Sequence, residues 1–330
     1  MSYIAVIGAG SWGTTLASVL AKKGFDVVIW AREPEIVRLI NSERENSIYL
    51  PSIKLPESLS CTDDIFEAIK KARFIVNAVP TQYIRNIFTP IKNLLQSDSI
   101  VVSASKGIEK VTLKTPSMIL KEILDRNVNV LSGPTFAIEV AQEKPSAVTI
   151  SGFEKKERLL LQEIFNTSYF RVYEHDDPIG AEIGGAIKNV IAIASGICDA
   201  LELGNNARAA LITRGLHEIM RLGKHLGAKE ITFSGLSGLG DLFLTCTSNL
   251  SRNYTVGYKL GKGESIEHIS SSMRSVAEGV ETSLSTVQLS RKIGIEMPIS
   301  LEVYRVIYEG KSPKDAAYDL MNRALKPEFY

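Results

Sequence analysis

The sequence predicts an α/β protein in which an N-terminal doubly wound sheet is followed by an all-helical C-terminal domain. Three observations support this prediction. Short apolar runs alternate with helical patterns over the first half of the chain, which is typical of a parallel sheet flanked by helices. A glycine-rich turn separates the first apolar run from the first helical pattern. Beyond residue 177 the short apolar runs stop and the pattern is helical.

The chain begins with a predicted β-α-β unit. Its first strand is the apolar run 3–7, its helix is 12–23, closed by a glycine, and its second strand is 27–30. The stretch 2–21 carries no charged residue, but glycines interrupt it and no basic segment precedes it. It therefore predicts neither a signal peptide nor a membrane span.

The alternation continues to residue 173. The further predicted strands are residues 74–78, 99–103, 128–131, 147–150 and 170–173, and the helices between them are 63–72, 84–95, 117–124 and 155–164. A long helix at 178–201 follows, and then a segment rich in Gly, Ser and Thr at 234–247. The pattern changes from alternating strands and helices to helices alone between residues 173 and 178. We therefore predict a first domain of residues 1–176 and a helical second domain of residues 177–330.

Composition narrows the classes of function. A chain of 330 residues is long enough for two domains, and 45% hydrophobic with 23% charged residues is an ordinary globular composition. The net charge of +1 favours neither nucleic acid nor an anionic membrane as a partner. Cys61, Cys198 and Cys246 form no close pair. They predict a reducing, cytoplasmic location and offer neither a disulfide framework nor a metal site.

The turn after the first strand predicts a dinucleotide site. Gly8, Gly10 and Gly13 fit the pattern G-x-G-x-x-G, directly after a strand and at the start of a helix. In this context the glycines allow a tight turn and a close approach of the backbone to a pyrophosphate, which the helix N-terminus stabilises. The N-terminal domain is therefore predicted to be of the Rossmann type and to bind NAD or NADP.

The end of the second strand bears on the choice of cofactor. An NAD site usually carries an acidic residue there, about 20 residues after the glycines. Here Arg32 occupies the position, which favours or admits NADP(H), because a cation can neutralise the 2′-phosphate. Glu33 follows at once and offers an NAD ribose a carboxylate instead, while Arg32 as a solvated surface residue is a third interpretation.

Lysine is a better candidate for proton transfer than histidine, since none of the four histidines lies in a local cluster of functional residues. On the predicted helix 178–201, Lys188 lies among the small residues Ala181, Gly184, Ala192 and Ser195 at spacings of three and four. A lysine held in such a stripe is desolvated, which lowers its pKa toward neutrality. A helix contact from which the lysine extends to water is an equal alternative.

A second cluster lies in the segment rich in glycine and hydroxyl groups. From residue 233 to 258 the only charged residues are Asp241 and Arg252, and isolated charges there are costly unless they are paired or used. Asp241 and Thr245 share a helix face, so the carboxylate can orient the lysine while the threonine contacts substrate. An N-cap aspartate in a salt bridge with the arginine is the alternative.

Two loops that follow predicted strands complete the candidate site. Lys106 follows the strand 99–103, and Gly133 and Thr135 follow the strand 128–131. Ligands of open parallel sheets bind beyond the carboxyl ends of the strands, so these residues are candidates for substrate contacts. A surface lysine and a capping turn are the alternatives.

Together these motifs resemble the bacterial NAD(P)-dependent glycerol-3-phosphate dehydrogenase family over most of the chain. The motifs that carry the resemblance are residues 8–13, 105–107, 133–137, 188–189, 235–242 and 250–253. It implies the reversible reduction of dihydroxyacetone phosphate to sn-glycerol 3-phosphate, which supplies phospholipid synthesis. It also implies a homodimer.

The resemblance further implies a role for each motif residue. Lys188 would be the proton acceptor or donor, and Asp241 would hold it. The substrate would contact Lys106, Gly133, Thr135, Ser251, Arg252 and Asn253. The cofactor would contact Ser11, Trp12, Arg32, Lys106, Ala137, Arg252, Val276 and Glu278.

Two other functions stay open at this point. A dehydrogenase of the 3-hydroxyisobutyrate or 6-phosphogluconate type also combines a Rossmann domain with a helical domain and a lysine, but should bind a substrate carboxylate. A protein that senses NADP without turnover would not need Lys188.

Overall fold

The computed structural model describes residues 3–272 and 277–328. Its first half contains one eight-stranded sheet. The strands are β1 (Tyr3–Ile7), β2 (Val27–Trp30), β3 (Leu59–Thr62), β4 (Ala72–Asn77), β5 (Ile100–Ser103), β6 (Asn129–Ser132), β7 (Ser146–Ser151) and β8 (Phe170–His175). Their order in the sheet is β3-β2-β1-β4-β5-β6-β7-β8, which is a doubly wound arrangement and confirms the predicted Rossmann-type fold.

One strand pair departs from a parallel sheet. Every other neighbouring pair is parallel, but β6 and β7 run antiparallel, with Ser132 opposite Thr149. The apolar runs did not predict this direction, because a buried run reads the same from either end. The sequence analysis also missed β3.

Helices cover both faces of the sheet. They are α1 (Ser11–Lys22), α2 (Pro34–Arg38), α3 (Ile65–Ile69), α4 (Ile84–Phe88), α5 (Pro116–Leu124), α6 (Ala137–Ala141) and α7 (Lys155–Phe165), with a π-helix at Leu39–Glu43 and 3-10 turns at Thr81–Tyr83 and Thr89–Ile91. One apolar core packs α1 and α7 on the sheet, and a second core packs α3, α4 and α5 on the opposite face. The predicted helix 63–72 is too long, because β4 begins at Ala72 and pairs with β1 from that residue.

The described residues beyond β8 form helices only. They are α8 (Pro178–Ala200), α9 (Gly204–His225), α10 (Asp241–Cys246), α11 (Arg252–Gly261), α12 (Ile266–Ser272), α13 (Glu278–Ile293), α14 (Pro298–Tyr308) and α15 (Pro313–Met321), with a 3-10 helix at Glu230–Ser234 and a π-helix at Leu236–Gly240. The helical second half was predicted. Helix α8 is at its centre and packs against α9, α10, α11 and α13 and against β6 of the sheet.

Helix α8 is also long and apolar enough to cross a membrane by length and composition, the only such helix among the described residues. Its most apolar stretch is wholly buried inside the protein. It is therefore the core helix of the second half, and its contact with β6 brings both halves together where the candidate residues lie.

Candidate active site

The glycine turn between β1 and α1 leaves space for a pyrophosphate. Gly8 has φ +112°, and a Cβ there would lie 2.9 Å from the Ala78 carbonyl oxygen, while a Cβ on Gly13 would lie 1.9 Å from the Gly8 oxygen. Both positions are packed against backbone. A Cβ on Gly10, by contrast, would meet no atom within 4 Å. The open side of the turn is thus at Gly10, beside the first N–H groups of α1, where a phosphate group fits.

An asparagine that the sequence analysis missed holds this turn in place. Asn46 is wholly buried, and its side-chain amide donates to the Ala9 carbonyl oxygen and to Thr14 Oγ1, both at 2.9 Å. The Ser11 hydroxyl donates to the carbonyl oxygen of Tyr49 at 2.6 Å. Because these partners are more than thirty residues apart in sequence, no local pattern could have shown the contacts.

Two further residues predicted to bind the cofactor lie beside the turn. The ring of Trp12 packs edge-on against Phe170, with 6.4 Å between the ring centroids. Ala137 begins α6, and its carbonyl oxygen accepts a hydrogen bond from the Thr15 hydroxyl on α1. Helices α1 and α6 therefore form one wall around the turn.

The geometry of the residues after β2 favours neither NADP(H) nor NAD(H). The Arg32 side chain is 74% exposed, and its Nη2 lies 2.9 Å from Oε1 of Glu33. The two alternatives from the sequence thus form one exposed ion pair. Either side chain is free to turn toward a ribose or its phosphate, because such a surface pair contributes only about 0–1 kcal/mol.

The centre of the site is a buried lysine held by an aspartate. Lys188 lies on α8, Asp241 is the first residue of α10, and their side chains form an ion pair in which both groups are almost completely buried. Lys188 also donates to Thr245 Oγ1 at 2.8 Å. The N-cap of α10 is Gly240, so the alternative of an N-cap aspartate is wrong. Thr245 contacts the lysine itself.

A second lysine comes from the N-terminal half and binds the same carboxylate. Lys106, in the loop after β5, donates to Asp241 Oδ2 at 2.6 Å and to the Gly133 carbonyl oxygen at 3.4 Å. Asp241 thus bridges Lys106 and Lys188. We call these two residues the lysine pair. Burial lowers the pKa of Lys188 to about 8; the charge of Asp241 opposes this shift and that of Lys106 adds to it. The group can therefore give or take a proton near neutral pH.

The small-residue stripe on α8 allows this approach. A Cβ on Gly184 would lie 2.4 Å from the carbonyl oxygen of Ser237, in the π-helix that precedes α10. Farther along α8, the Ser195 hydroxyl donates to the carbonyl oxygen of Cys246 at 2.8 Å. The predicted close packing of the stripe is confirmed, and of the two interpretations of Lys188 the desolvated lysine is correct.

The N-termini of α11 and α13 meet at Asn189, the residue after Lys188 on α8. Ser251 caps α11, and Arg252 is its first residue. Asn253 donates to the side-chain oxygen of Asn189 and accepts from the Gly279 amide of α13, both at 2.9 Å. This bond pattern holds three helices together around a helix N-terminus, a favourable place for an anion.

Glu278 is the first residue of α13 and lies in the field of the site's cations. Burial raises its pKa, while the charges of Arg252, Lys106 and Lys188 act in the opposite direction. Composition and spacing gave no signal for Glu278. Val276, which the family resemblance also implies, lies outside the described residues.

The turn after β6 lines one side of the site. Gly133 cannot carry a side chain, because a Cβ there would lie 2.8 Å from the Cα of Val148. The Thr135 hydroxyl donates to the Gly133 carbonyl oxygen at 3.3 Å, two residues away. Lys106, Gly133, Lys188, Asp241 and Thr245 are thus directly connected by hydrogen bonds. Among the described residues no group of three His, Cys, Asp or Glu side chains is placed to hold a metal ion.

The chain is similar to known dehydrogenases over nearly its whole length. Models of the N- and C-terminal domains of NAD-dependent glycerol-3-phosphate dehydrogenase match residues 3–158 and 177–318. A glycerol-3-phosphate dehydrogenase [NAD(P)+] of a Geobacter species is 52% identical over 98% of both chains. The crystal structure of glycerol-3-phosphate dehydrogenase from Coxiella burnetii is 38% identical, with a TM-score of 0.94, and the match covers 98% of this chain and 99% of that one. The enzyme from Saccharomyces cerevisiae is 29% identical, with a TM-score of 0.85 over 98% and 99% of the chains.

Proposed function

The chain belongs to the NAD-dependent glycerol-3-phosphate dehydrogenase family, and from its site we propose that it reduces dihydroxyacetone phosphate to sn-glycerol 3-phosphate for glycerophospholipid synthesis. The observation that carries this proposal is the buried Lys188, held by Asp241 and Thr245 beside Lys106. NADPH or NADH, when bound, supplies the hydride for the C2 carbonyl.

Lys188 supplies the proton. With a pKa of about 8 its ammonium group is mostly protonated at neutral pH, so it can give a proton to the carbonyl oxygen of the substrate. In the reverse direction the neutral amine accepts the proton of the substrate hydroxyl. Asp241 and Thr245 fix the Nζ atom from two sides and leave its remaining direction for the substrate.

The substrate is held between the two halves of the chain. Lys106, Gly133 and Thr135 line it from the loops after β5 and β6. Its phosphate lies at the start of α11, where Ser251, Arg252 and Asn253 offer N–H groups, a guanidinium and a side-chain amide. A site for a carboxylate substrate would not need this second set of donors, which favours a phosphorylated substrate over 3-hydroxyisobutyrate.

The chain's cofactor is NAD(P)H. The residues proposed to hold it are Gly8, Gly10, Ser11, Trp12, Gly13, Arg32, Lys106, Ala137, Arg252, Val276 and Glu278. The open side of the turn at Gly10 supports this, as does the position of Ala137 across from α1. Arg32 binds the 2′-phosphate of NADPH, and Glu33 binds the ribose of NADH.

The proposal is tested by following NADPH absorbance with dihydroxyacetone phosphate, beside 3-hydroxyisobutyrate and 6-phosphogluconate with NADP. We expect oxidation of NADPH with the first substrate only. No turnover with it would refute the assignment, and turnover with either of the other substrates would show that the enzyme acts on that substrate instead.

The Lys188→Met variant separates an enzyme from a protein that senses NADP. We expect it to lose turnover and to bind NADPH as the wild type does, by fluorescence titration. Lys259→Met, at the end of α11, is the matched control and should keep full activity. Substantial turnover by Lys188→Met would show that another group moves the proton.

We propose three further properties of the enzyme. It divides into residues 1–176 and 177–330, since β8 ends at His175 and α8 begins at Pro178. It is a homodimer in solution, as the family resemblance implies, and light scattering coupled to gel filtration tests this. It works in the cytoplasm, which agrees with three free, buried cysteines and is tested by fractionation of the source cells.

A further inference from the structure

The loop that carries Lys106 is irregular but buried. It runs from the end of β5 at Ser103 to the start of α5 at Pro116 and consists of turns and extended backbone. Residues 104, 105 and 107–109 of this loop are nonetheless buried. Because buried backbone groups need hydrogen-bond partners, the side chains that bind this loop fix the position of Lys106.

The loop is anchored on both sides of Lys106. Before it, the Ser105 hydroxyl donates to a carbonyl oxygen of the segment after β4 at 2.6 Å. After it, Ile108 lies in the apolar core of the C-terminal half. The Ile108 carbonyl oxygen accepts from the side-chain amide of Gln82 at 2.9 Å and from the hydroxyl of Ser285 at 3.0 Å. The part of the loop between these anchors is the peptide unit that follows Lys106.

Thr81 binds this peptide unit. Thr81 is 4% exposed, and its hydroxyl donates to the carbonyl oxygen of Lys106 at 3.0 Å. Gly107 has φ +136°, and a Cβ there would lie 2.8 Å from Thr81 Oγ1, so the glycine lets the threonine approach. A glycine also leaves the peptide in front of it free to rotate. The bond from Thr81 removes that freedom at the residue whose ammonium group binds Asp241.

We propose that Thr81 is a positioning residue that holds Lys106 in the lysine pair through the bond to the Lys106 backbone carbonyl. The inference rests on the proposed function, in which Lys106 lines the substrate and Lys188 supplies the proton. The Lys106 ammonium group lies 2.6 Å from Asp241 Oδ2. A displacement of the loop by about 1 Å weakens this ion pair and moves Lys106 away from the substrate.

Displacement of Lys106 changes the titration of Lys188 in a defined direction. The charge of Lys106 lowers the pKa of Lys188, while the charge of Asp241 raises it. Glu278 of α13 and the Cys246 thiol of α10 also interact with Lys188, and neither belongs to the loop. When Lys106 moves away, the pKa of Lys188 rises above about 8. The alkaline limit of the reduction then moves to higher pH, because the reduction needs the protonated amine.

The test compares Thr81→Val, which keeps the shape of the side chain and loses the hydroxyl, with Thr81→Ser, which keeps the hydroxyl. In Thr81→Val we expect kcat for the reduction of dihydroxyacetone phosphate at pH 7 to fall about ten- to a hundredfold, the cost of misplacing a substrate-binding group by about 1 Å. The alkaline limb of the pH profile should move to higher pH in the same variant. Thr81→Ser should restore both the rate and the profile.

Ser99→Ala is the matched control. The buried Ser99 hydroxyl donates to the carbonyl oxygen of Ala72 at 2.9 Å, at the end of β5 opposite to the Lys106 loop. This variant should lower Tm as Thr81→Val does and change neither kcat nor the pH profile. Competitive acetylation of Lys106, measured by mass spectrometry, gives a readout without turnover. The Lys106 side chain is 17% exposed and ion-paired, so we expect faster acetylation in Thr81→Val and the wild-type rate in Ser99→Ala.

Two results would overturn the role of Thr81. One is an alkaline limb of Thr81→Val that coincides with that of the wild type, because a structural defect slows the reaction without displacing the charge of Lys106. The other is an unchanged rate of acetylation of Lys106. Thr81→Ala, which also lacks the hydroxyl, replaces Thr81→Val if the valine variant does not fold. If the proposed function itself fails, the wild type does not oxidise NADPH with dihydroxyacetone phosphate, and the acetylation still tests the contact.

Discussion

Asp241→Asn is the substitution whose effect the site predicts best. The carboxylate of Asp241 is fully buried and forms ion pairs with two ammonium groups, those of Lys106 and Lys188. The amide that replaces it has the same shape and no charge. The substitution therefore keeps the packing of α10 and leaves the buried Lys188 and the partly buried Lys106 without their shared counter-ion.

The size of the effect follows from the charge that is lost. Two unit charges about 4 Å apart interact with about 4 kcal/mol at an effective dielectric constant of about 20. Since 1.36 kcal/mol corresponds to a tenfold change, the pKa of Lys188 should fall from about 8 to about 5. At pH 7 the protonated fraction then drops from about nine-tenths to about one-hundredth, so the reduction slows about a hundredfold.

The assay is the pH profile of kcat in both directions. Reduction needs the protonated lysine, so the wild type should lose activity as the pH rises through about 8, whereas Asp241→Asn should regain activity only as the pH falls toward about 5. Oxidation needs the neutral amine and should not be limited by this group in the variant at pH 7. Asp319→Asn removes an exposed partner of Lys311 and is the control. A uniform loss of activity with an unshifted profile would refute the reasoning.

Three more predictions concern the substrate, the cofactor and stability. Arg252→Ala should raise the KM for dihydroxyacetone phosphate about ten- to a hundredfold, since losing a charged partner of a phosphate costs about 1.5–3 kcal/mol; an unchanged KM would exclude Arg252 from the phosphate site. Gly10→Val should weaken NADPH binding at an unchanged Tm, because the valine side chain enters open space. Gly13→Ala should lower Tm, because the alanine Cβ would lie 1.9 Å from the Gly8 oxygen. Equal Tm values for the two variants would contradict this. Burial raises the pKa of Glu218 to about 7 from its ordinary 4.5, so the folded protein binds the extra proton between these values and its stability falls as the pH rises through this window. Glu218→Gln should remove about 3 kcal/mol of that fall, measured by urea unfolding at pH 5 and pH 8, and an equal slope in both proteins would contradict it.

The parts of the site that are local in sequence were predictable. Gly8, Gly10 and Gly13 lie within one turn, and the stripe around Lys188 repeats at helical spacing, so each feature is visible in a short window. The bond of Lys188 to Asp241 could be inferred because only two charged residues occupy the segment 233–258 and one of them shares a helix face with a threonine.

The parts that depend on tertiary contacts were not predictable. Asn46 holds the glycine turn across a long stretch of chain, and an isolated asparagine in a loop has many other uses. Glu278 reaches the site through tertiary contacts, one of which is the bond that Asn253 accepts from the amide of the next residue, Gly279. The direction of β7 depends on its pairing with β6, to which an apolar run gives no clue.

The near-zero net charge of the chain acquires a meaning in the site. Three cations, Lys106, Lys188 and Arg252, act on one small volume that also contains the carboxylates of Asp241 and Glu278. A phosphate group adds negative charge to this set, and any such charge near Lys188 raises the pKa of its amine, as Asp241 does. The phosphorylated substrate therefore stabilises the protonated form of Lys188, the residue that gives it a proton. Binding of the phosphate and protonation of Lys188 are thus coupled, because both depend on the same nearby charges. This coupling gives the cations of a protein with little net charge a use at this one site.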